Sequence, residues 1–263
     1  MQAYPSWMRY DRQIAIIGRR AQIALEEAKV LVAGLGGLGS NALGQLAAMG
    51  VGQFRLVDPD VVKMSDLHRE PLYGEEDVGK PKVKAAKDAL KRINPSISVE
   101  IYQAPVDESN ATKMVDGTDV VVDGLDEIPP RLLLDDASMK AHIPYVFASV
   151  QETYGNVSTL IPGVTPRLKY FLKVAGPNPS CCHAVYPPAV FVVASIETAE
   201  VISLLIGKTP ALAGKLLVYD ALTASFDIVP LTPSPPRRTR FVVRLINVQI
   251  GYKILTSGLS IPS

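Results

Sequence analysis

Charged side chains gather in this chain wherever a predicted strand ends. Asp58 and Asp60 follow the apolar run at 53–57, and Asp66, His68 and Arg69 lie in the polar stretch after it. Lys80 and Lys82 open the next helical pattern, and Asp123 and Asp126 follow Val120-Val121-Val122. In open α/β sheets, ligands bind at the carboxyl ends of the strands. Taken one at a time, each of these groups is an ordinary solvated charge; together, at strand ends, they describe a site. Several cations and carboxylates around one spot suit a triphosphate with a metal ion better than a nicotinamide dinucleotide. A diphosphate bridge needs little beyond backbone N–H groups, whereas a triphosphate calls for Lys, Arg and Mg²⁺.

The stretch that must position these groups runs from Lys29 to Asp58. Lys29-Val30-Leu31-Val32-Ala33 reads as a strand, Gly34-Leu35-Gly36-Gly37-Leu38-Gly39 as a glycine turn, residues 40–49 as a helix, and 53–57 as a second strand ending on Asp58. This is the order of a dinucleotide-binding unit, with the acid at the usual offset of about 20 residues. Gly34 permits the tight turn, Gly36 admits a phosphate to the backbone, and Gly39 lets the helix pack on the strand. The helix start offers free N–H groups and partial positive charge to an anion. The motif specifies an adenine nucleotide without choosing between NAD and ATP.

The rest of the chain supplies the frame. Residues 9–28 have apolar residues at helical spacing and predict one helix on the domain edge. Residues 60–76 are polar and irregular. A helix is expected at 79–93, stopped by Asn94-Pro95, then a strand at 97–102, a short helix at 108–115, a doubly buried strand at 119–123, a helix at 131–141 and a strand at 145–149. Strands alternating with helices predict a doubly wound, Rossmann-like α/β fold with a mainly parallel sheet. Residues 155–161 and 215–231 read as antiparallel strands added in the C-terminal half. The proline-rich segment 163–188 between them is an irregular crossover loop containing Cys181 and Cys182. Residues 1–231 are expected to form one adenine-nucleotide domain, 232–240 a Pro/Arg linker, and 241–255 a further hairpin in a short C-terminal extension.

Composition narrows the function classes. Of 263 residues, 48% are hydrophobic and 20% charged, which is enough for a substantial core. A net charge of +1 argues against a general nucleic-acid surface. The longest apolar run, 189–206, contains Glu197 and Glu200 and reads as a buried helix, so no membrane partner is expected. Residues 1–7 show no leader pattern, and two adjacent cysteines do not make a disulfide scaffold; both observations predict a reducing cytoplasm.

The motifs, taken in order, resemble the MoeB/ThiF and ubiquitin-activating enzyme superfamily. Those motifs are Arg9-Tyr10-Asp11-Arg12-Gln13, the glycine turn, Asp58-Pro59-Asp60, Leu67-His68-Arg69, Gly79-Lys80-Pro81-Lys82, Asp123-Gly124-Leu125-Asp126 and Tyr219-Asp220-Ala221. The ordered set covers residues 9–231 and is far more specific than the glycine turn alone. The opening Arg-Tyr-Asp-Arg-Gln-Ile is similar to eukaryotic ubiquitin-like activating enzymes. The resemblance implies adenylation of the C-terminal glycine of a ubiquitin-like or sulfur-carrier protein ending in Gly-Gly, with ATP and Mg²⁺ and release of pyrophosphate. It implies that Gly34, Gly36, Gly37, Gly39, Asp58, Asp60, Asp66, Arg69, Lys82 and Asp123 bind the nucleotide. Within that set Asp58 holds the ribose, and Arg69 and Lys82 hold the phosphates. Asp126 would bind Mg²⁺, and Arg12 would reach the γ-phosphate, commonly from the partner subunit of a homodimer.

Three departures and one thiol stand out against that resemblance. Asp66 and Glu127 stand where the family usually has Asn, so two amides have become carboxylates. Added negative charge should weaken nucleotide binding unless Mg²⁺ or a basic group compensates. The two Cys-x-x-Cys pairs of many relatives are missing, so no structural zinc site is expected. In thioester-forming relatives a cysteine precedes a Val-Val-Ala helix, and Cys182 has that offset from Val192-Val193-Ala194. The residues alone leave open a small apolar role for this thiol. The leading expectation is activation of a ubiquitin-like protein with a thioester on Cys182, which would bring in a conjugating enzyme as a further partner. The alternative is a MoeB/ThiF-type adenylyltransferase serving sulfur transfer in cofactor biosynthesis. An NAD-dependent oxidoreductase and a non-catalytic partner subunit also remain open from sequence.

Overall fold

The structure is a computed structural model and describes residues 6–172, 184–231, 242–245 and 248–251. After a short 3₁₀ turn (Ser6–Tyr10) come helices α1 (Asp11–Ile17) and α2 (Arg19–Glu27). Strand β1 (Lys29–Ala33), helix α3 (Gly37–Met49) and strand β2 (Gln53–Val57) form the glycine-turn unit. They are followed by α4 (Lys82–Ile93), β3 (Ser98–Tyr102), α5 (Ala111–Val115), β4 (Val120–Asp123), α6 (Ile128–Ala141), β5 (Tyr145–Gln151) and β6 (Tyr154–Leu160). The chain continues through α7 (Pro187–Leu205), β7 (Lys215–Asp220), β8 (Ser225–Pro230) and the antiparallel pair β9 (Val242–Leu245) and β10 (Val248–Gly251).

Eight strands form one sheet in the order β3-β2-β1-β4-β5-β6-β7-β8. The first five are parallel; β6, β7 and β8 are antiparallel additions. The doubly wound, mainly parallel sheet and its antiparallel extension are therefore as the sequence predicts. From β1 the chain winds outward to β2 and β3, then returns to lay β4 on the other side of β1. This reversal opens a crevice at the carboxyl ends of β1 and β4, where Ala33 pairs with Asp123.

The period-2 alternation of the strands divides the core in two. Val30, Val32, Phe54, Leu56, Val120 and Val122 pack on the face covered by α3, α4 and α7. Leu31, Ala33, Val121, Tyr145 and Phe147 pack on the other face, against Met114 and Val115 of α5 and Leu134 and Ala137 of α6. Helix α7 is long and apolar enough to span a bilayer. Here it lies against α3, β5 and β6, with Glu197 and Glu200 buried. Glu200 is satisfied by the Thr159 hydroxyl at 2.6 Å and by the N–H groups of Ala211 and Leu212 at 3.0 and 2.9 Å.

Several boundaries differ from the sequence reading for local reasons. The single helix expected at 9–28 is broken at Gly18, which adopts φ 86°, and α1, before the break, buries none of its residues. Helix α4 starts at Lys82 rather than 79, because Gly79 has φ 86° and Val61 bridges Pro81 in an antiparallel contact. Helix α6 starts three residues early; Pro129 and Pro130 fall in its first turn, where no backbone donor is needed. Part of the irregular segment 163–188 is ordered packing: Leu168, Phe171 and Leu172 enter the core around a 3₁₀ turn, and α7 begins at Pro187.

Candidate active site

Three backbones without side chains meet at the crevice. Gly34 follows β1 with φ 84°, and the space its Cβ would need is filled by the Gly124 peptide, with Leu125 N at 2.9 Å. A Cβ on Gly124 would stand 2.8 Å from Gly39 Cα, and one on Gly39 would overlap the Gly34 carbonyl oxygen. Glycine is therefore required for contact at Gly34, Gly39 and Gly124, and at Gly34 for conformation as well. Gly37 opens α3 and is tightly packed too, since its Cβ would lie 3.1 Å from Val190 Cγ1 and 3.6 Å from Arg69. The first N–H groups of α3 lack partners within their own helix and face the cavity at Gly36 and Gly37.

Asp58 locks this turn to the end of β2. Its buried carboxylate accepts Leu35 N–H at 2.6 Å through one oxygen and Asp60 N–H at 2.7 Å through the other. Burial pushes its pKa up; the two N–H bonds oppose that. The Tyr73 hydroxyl donates to Leu35 O at 3.0 Å, so Leu35 is held from both sides. The lone pairs left on Asp58 face the cavity, where ribose hydroxyls could donate to them.

The cations lie across from the turn. Lys82 N–H donates to Asp60 O at 2.9 Å, which pins the start of α4 beside the end of β2. Lys82 Nζ is buried 3.0 Å from Glu70 Oε2 and 3.4 Å from Asp66 Oδ2. Arg69 Nη2 lies 3.3 Å from Asp66 Oδ1 and 3.4 Å from Glu70 Oε1. Two cations and two carboxylates thus form one cluster on the wall of the cavity. Burial pushes Asp66 up, but the Lys63 N–H, Lys82 and Arg69 outweigh it and hold its pKa below the usual value. Burial lifts Glu70 to about 7 against the pull of Lys82. Burial lowers Lys82, but Glu70 and Asp66 more than restore it, so it stays charged. The carboxylate at Asp66 therefore has the basic compensation that its departure from the family pattern calls for.

The structure brings Gly34, Gly36, Gly37, Asp58, Asp60, Asp66, Arg69, Lys82 and Asp126 to one cavity of about 860 Å³. Gly39 lies directly behind the turn. Asp123 differs from its expected role: it is wholly buried beneath the wall, accepting Leu125 N–H at 3.1 Å and Arg131 Nη1 at 3.0 Å, and it does not face the cavity. Burial raises its pKa to about 6 despite Arg131. Arg12 is exposed on α1 and lies outside this chain's cavity. His68 is exposed, and Lys80 is paired with Asp77 at 2.8 Å; neither lines it. Cys181, Cys182 and His183 lie outside the described residues. Two wall residues escaped the sequence reading, Glu70 and Arg131. Glu70 follows Arg69 and sits four residues after Asp66 on one helical turn, a spacing that puts the two acids on one face. Asp126 and Glu127 are exposed on the wall and, among the described residues, in no ion pair. Their hard oxygen donors fit Mg²⁺.

Alanine normally stabilises a helix by about 1 kcal/mol relative to glycine. Gly39→Ala should instead lower stability, because the Gly34 carbonyl occupies the Cβ position. Gly44→Ala in the same helix, where a Cβ meets only Leu72 at 3.8 Å, should be neutral or stabilising. Urea unfolding of both variants measures the difference in sign.

Comparison with known proteins agrees with this geometry. The ThiF family matches residues 10–239. The SAMP-activating enzyme E1 of Haloferax volcanii is 38% identical over 235 residues, covering 86% of each chain. The sulfur carrier protein adenylyltransferase of Thermus thermophilus is 38% identical over 238 residues, covering 86% of this chain and 88% of that one. The crystal structure of Escherichia coli MccB with MccA-N7isoASN shares the fold, with a TM-score of 0.80 at 24% identity over 86% of this chain and 73% of the other. A family match over most of the chain, relatives of this identity and a glycine turn built at the strand-order reversal lead to one conclusion: the chain belongs to the ThiF family, within the MoeB/ThiF superfamily of activating enzymes and adenylyltransferases.

Proposed function

We propose that this protein is an enzyme that uses ATP to adenylate the C-terminal glycine of a ubiquitin-like or sulfur-carrier protein. The observation that carries the reading is the cavity at the carboxyl ends of β1 and β4, with the α3 N-terminus and Asp58 on one side and Lys82 and Arg69 on the other. An activating enzyme and an adenylyltransferase among its relatives support the same chemistry. In the reaction the glycine carboxylate oxygen attacks the α-phosphorus, the bond from that phosphorus to the bridging oxygen breaks, and pyrophosphate leaves. Asp58 accepts the ribose hydroxyls. The α3 N–H groups, Arg69 and Lys82 stabilise charge that moves onto the departing pyrophosphate, and they do so from fixed positions in a partly desolvated wall. Asp126 and Glu127 would hold Mg²⁺, which supplies further neutralisation of the phosphates. Asp123 acts one layer down, holding Arg131 and the Leu125 turn in position.

Conjugation and sulfur transfer share this first step. The name of the Haloferax relative favours the former and that of the Thermus relative the latter. For the thioester branch, Cys182 attacks the acyl carbon of the adenylate as a thiolate, the bond to AMP oxygen breaks, and AMP leaves. Ala184 and Val185, just beyond it in the chain, line the cavity, and Glu152 N–H to Ala184 O at 2.7 Å fixes that point of the backbone. The catalytic unit is residues 1–231, residues 232–263 are a Pro/Arg linker and short extension, and the reaction takes place in the cytoplasm. The working form is a homodimer in which Arg12 reaches the partner's γ-phosphate, consistent with its exposure and with the bare apolar surface of α1 around Ile16.

Pyrophosphate exchange with a carrier protein ending in Gly-Gly tests the adenylation step. Asp126→Ala should keep the fold, as its side chain is exposed, and lower exchange by on the order of 10²–10³-fold, the effect of losing several kcal/mol of metal-assisted charge stabilisation. Near-normal exchange would sink the assignment of Asp126.

A mixed dimer of Arg12→Ala and Lys82→Ala chains should recover one working site out of two. No recovery in verified mixed dimers would return Arg12 to its own subunit.

On a non-reducing gel with ATP, Mg²⁺ and carrier, Cys181→Ser should keep a reductant-sensitive adduct and Cys182→Ser should lose it while exchange continues. An adduct that instead depends on Cys181 shifts the register by one residue. A wild type that exchanges but forms no adduct favours the sulfur-transfer branch.

A further inference from the structure

The four-charge cluster raises a question of balance that the adenylation chemistry leaves open. Lys82 and Arg69 carry two positive charges, and Asp66 and Glu70 pair with both. Asp58 adds a further buried negative charge nearby. A polyphosphate entering such a site meets cations whose charge is already matched, in a wall where burial makes unmatched charge costly.

The three acids differ in what would support them once a phosphate draws on Lys82 and Arg69. Asp58 keeps the N–H groups of Leu35 and Asp60. Asp66 keeps the N–H of Lys63 at 3.0 Å. Glu70 has no backbone donor among the described residues, and its carboxylate is wholly buried, so the two side-chain cations are its entire support. Asp66, Arg69 and Tyr73 face it from its own segment, and Lys82 faces it from the start of α4. The glycine turn facing it at Gly36 brings no titratable side chain.

Resting on the nucleotide reading above, we infer that Glu70 takes up one proton from solvent when a nucleoside triphosphate engages Lys82 and Arg69. The neutral carboxyl group then changes from an acceptor bound to the cations into an O–H donor available to a phosphate oxygen. Glu70 is thereby a positioning residue that sets how strongly the phosphate cations are held before substrate arrives, and it makes nucleotide affinity depend on pH. Its free-state pKa of about 7 means that the proton is mostly absent at pH 8 and must be acquired on binding. Binding raises the pKa, so affinity is greatest below about pH 7 and falls as pH rises through the free-state value toward the bound one.

The test is calorimetric titration of the intact protein with the α,β-methylene analogue of ATP and Mg²⁺ at pH 8.0, in Tris and in HEPES, whose ionisation heats differ. The γ-phosphate, with a second pKa near 6, is itself ionised at that pH. Wild type should take up close to one proton per nucleotide, and its affinity should fall by up to about tenfold from pH 7.5 to 8.5. Glu70→Gln keeps a neutral amide in the same space; it should show almost no proton uptake, a flat pH profile and tighter binding at pH 8. Binding without proton uptake in wild type, or equal uptake in Glu70→Gln, overturns the proposal while leaving the nucleotide reading intact. Absence of nucleotide binding by wild type, checked by equilibrium dialysis, overturns both. Should circular dichroism show Glu70→Gln unfolded, the wild-type uptake and pH slope decide the matter alone.

Discussion

Three peptide groups in contact, those of Gly34, Gly39 and Gly124, are the constraint on which the rest depends. They lie where the strand order reverses, so the end of β1, the start of α3 and the end of β4 share one small volume. Any side chain there would push α3 off the sheet and close the crevice. Because the contact is between backbones, it brings the α3 N–H groups to the cavity floor and leaves room above them for an anion. Asp58 and Tyr73 then grip Leu35 from its N–H and its carbonyl, which makes the turn rigid before any ligand arrives.

Around that rigid turn the protein has built a wall of paired charge. Burying isolated ions costs several kcal/mol each, so Lys82, Arg69, Asp66 and Glu70 are tolerable only as a set. The set is also unequal. Asp66 is anchored by a backbone N–H and stays ionised; Glu70 is anchored by the cations alone and titrates near neutrality. A polar layer continues beneath the wall, where Asp123 and Arg131 pair and Arg131 donates to Ala148 O at 2.8 Å while lying 5.1 Å from the Phe147 ring centre. This layer stiffens the β4 end from which Asp126 and Glu127 extend.

The antiparallel half backs the site and supplies part of its wall. Helix α7 packs on α3 and seats Val190 against Gly37, so the apolar run that resembles a membrane span is what holds the nucleotide helix in place. Glu200 ties that helix to Thr159 and to the loop before β7. The chain that re-enters at Ala184 pairs with Glu152 at the β5–β6 turn and forms part of the cavity wall.

Much of this was legible in the linear chain, because local spacing carries it. The glycine turn, its flanking strands and Asp58 were readable from a period-2 apolar run, three glycines and an offset, and the change from parallel to antiparallel strands was visible after Ser149. Gly18, Gly79 and Pro129 shifted helix ends because single residues with special backbone angles override a hydrophobic period. The sequence alone could also list Arg69, Lys82 and Asp66 as candidates, since their types and order suffice for that. Which charges touch, however, was decided by tertiary structure. Lys82 meets Glu70 across twelve residues only because Asp60 and Val61 pin the start of α4 beside β2. Asp123, the last residue of β4, turned inward and Asp126, three residues on, outward, because the pleat and the turn at Gly124 direct them to opposite sides of the wall. A charge's role here depends on its neighbours in space and on the water it has lost, and neither quantity is written in the spacing of the chain.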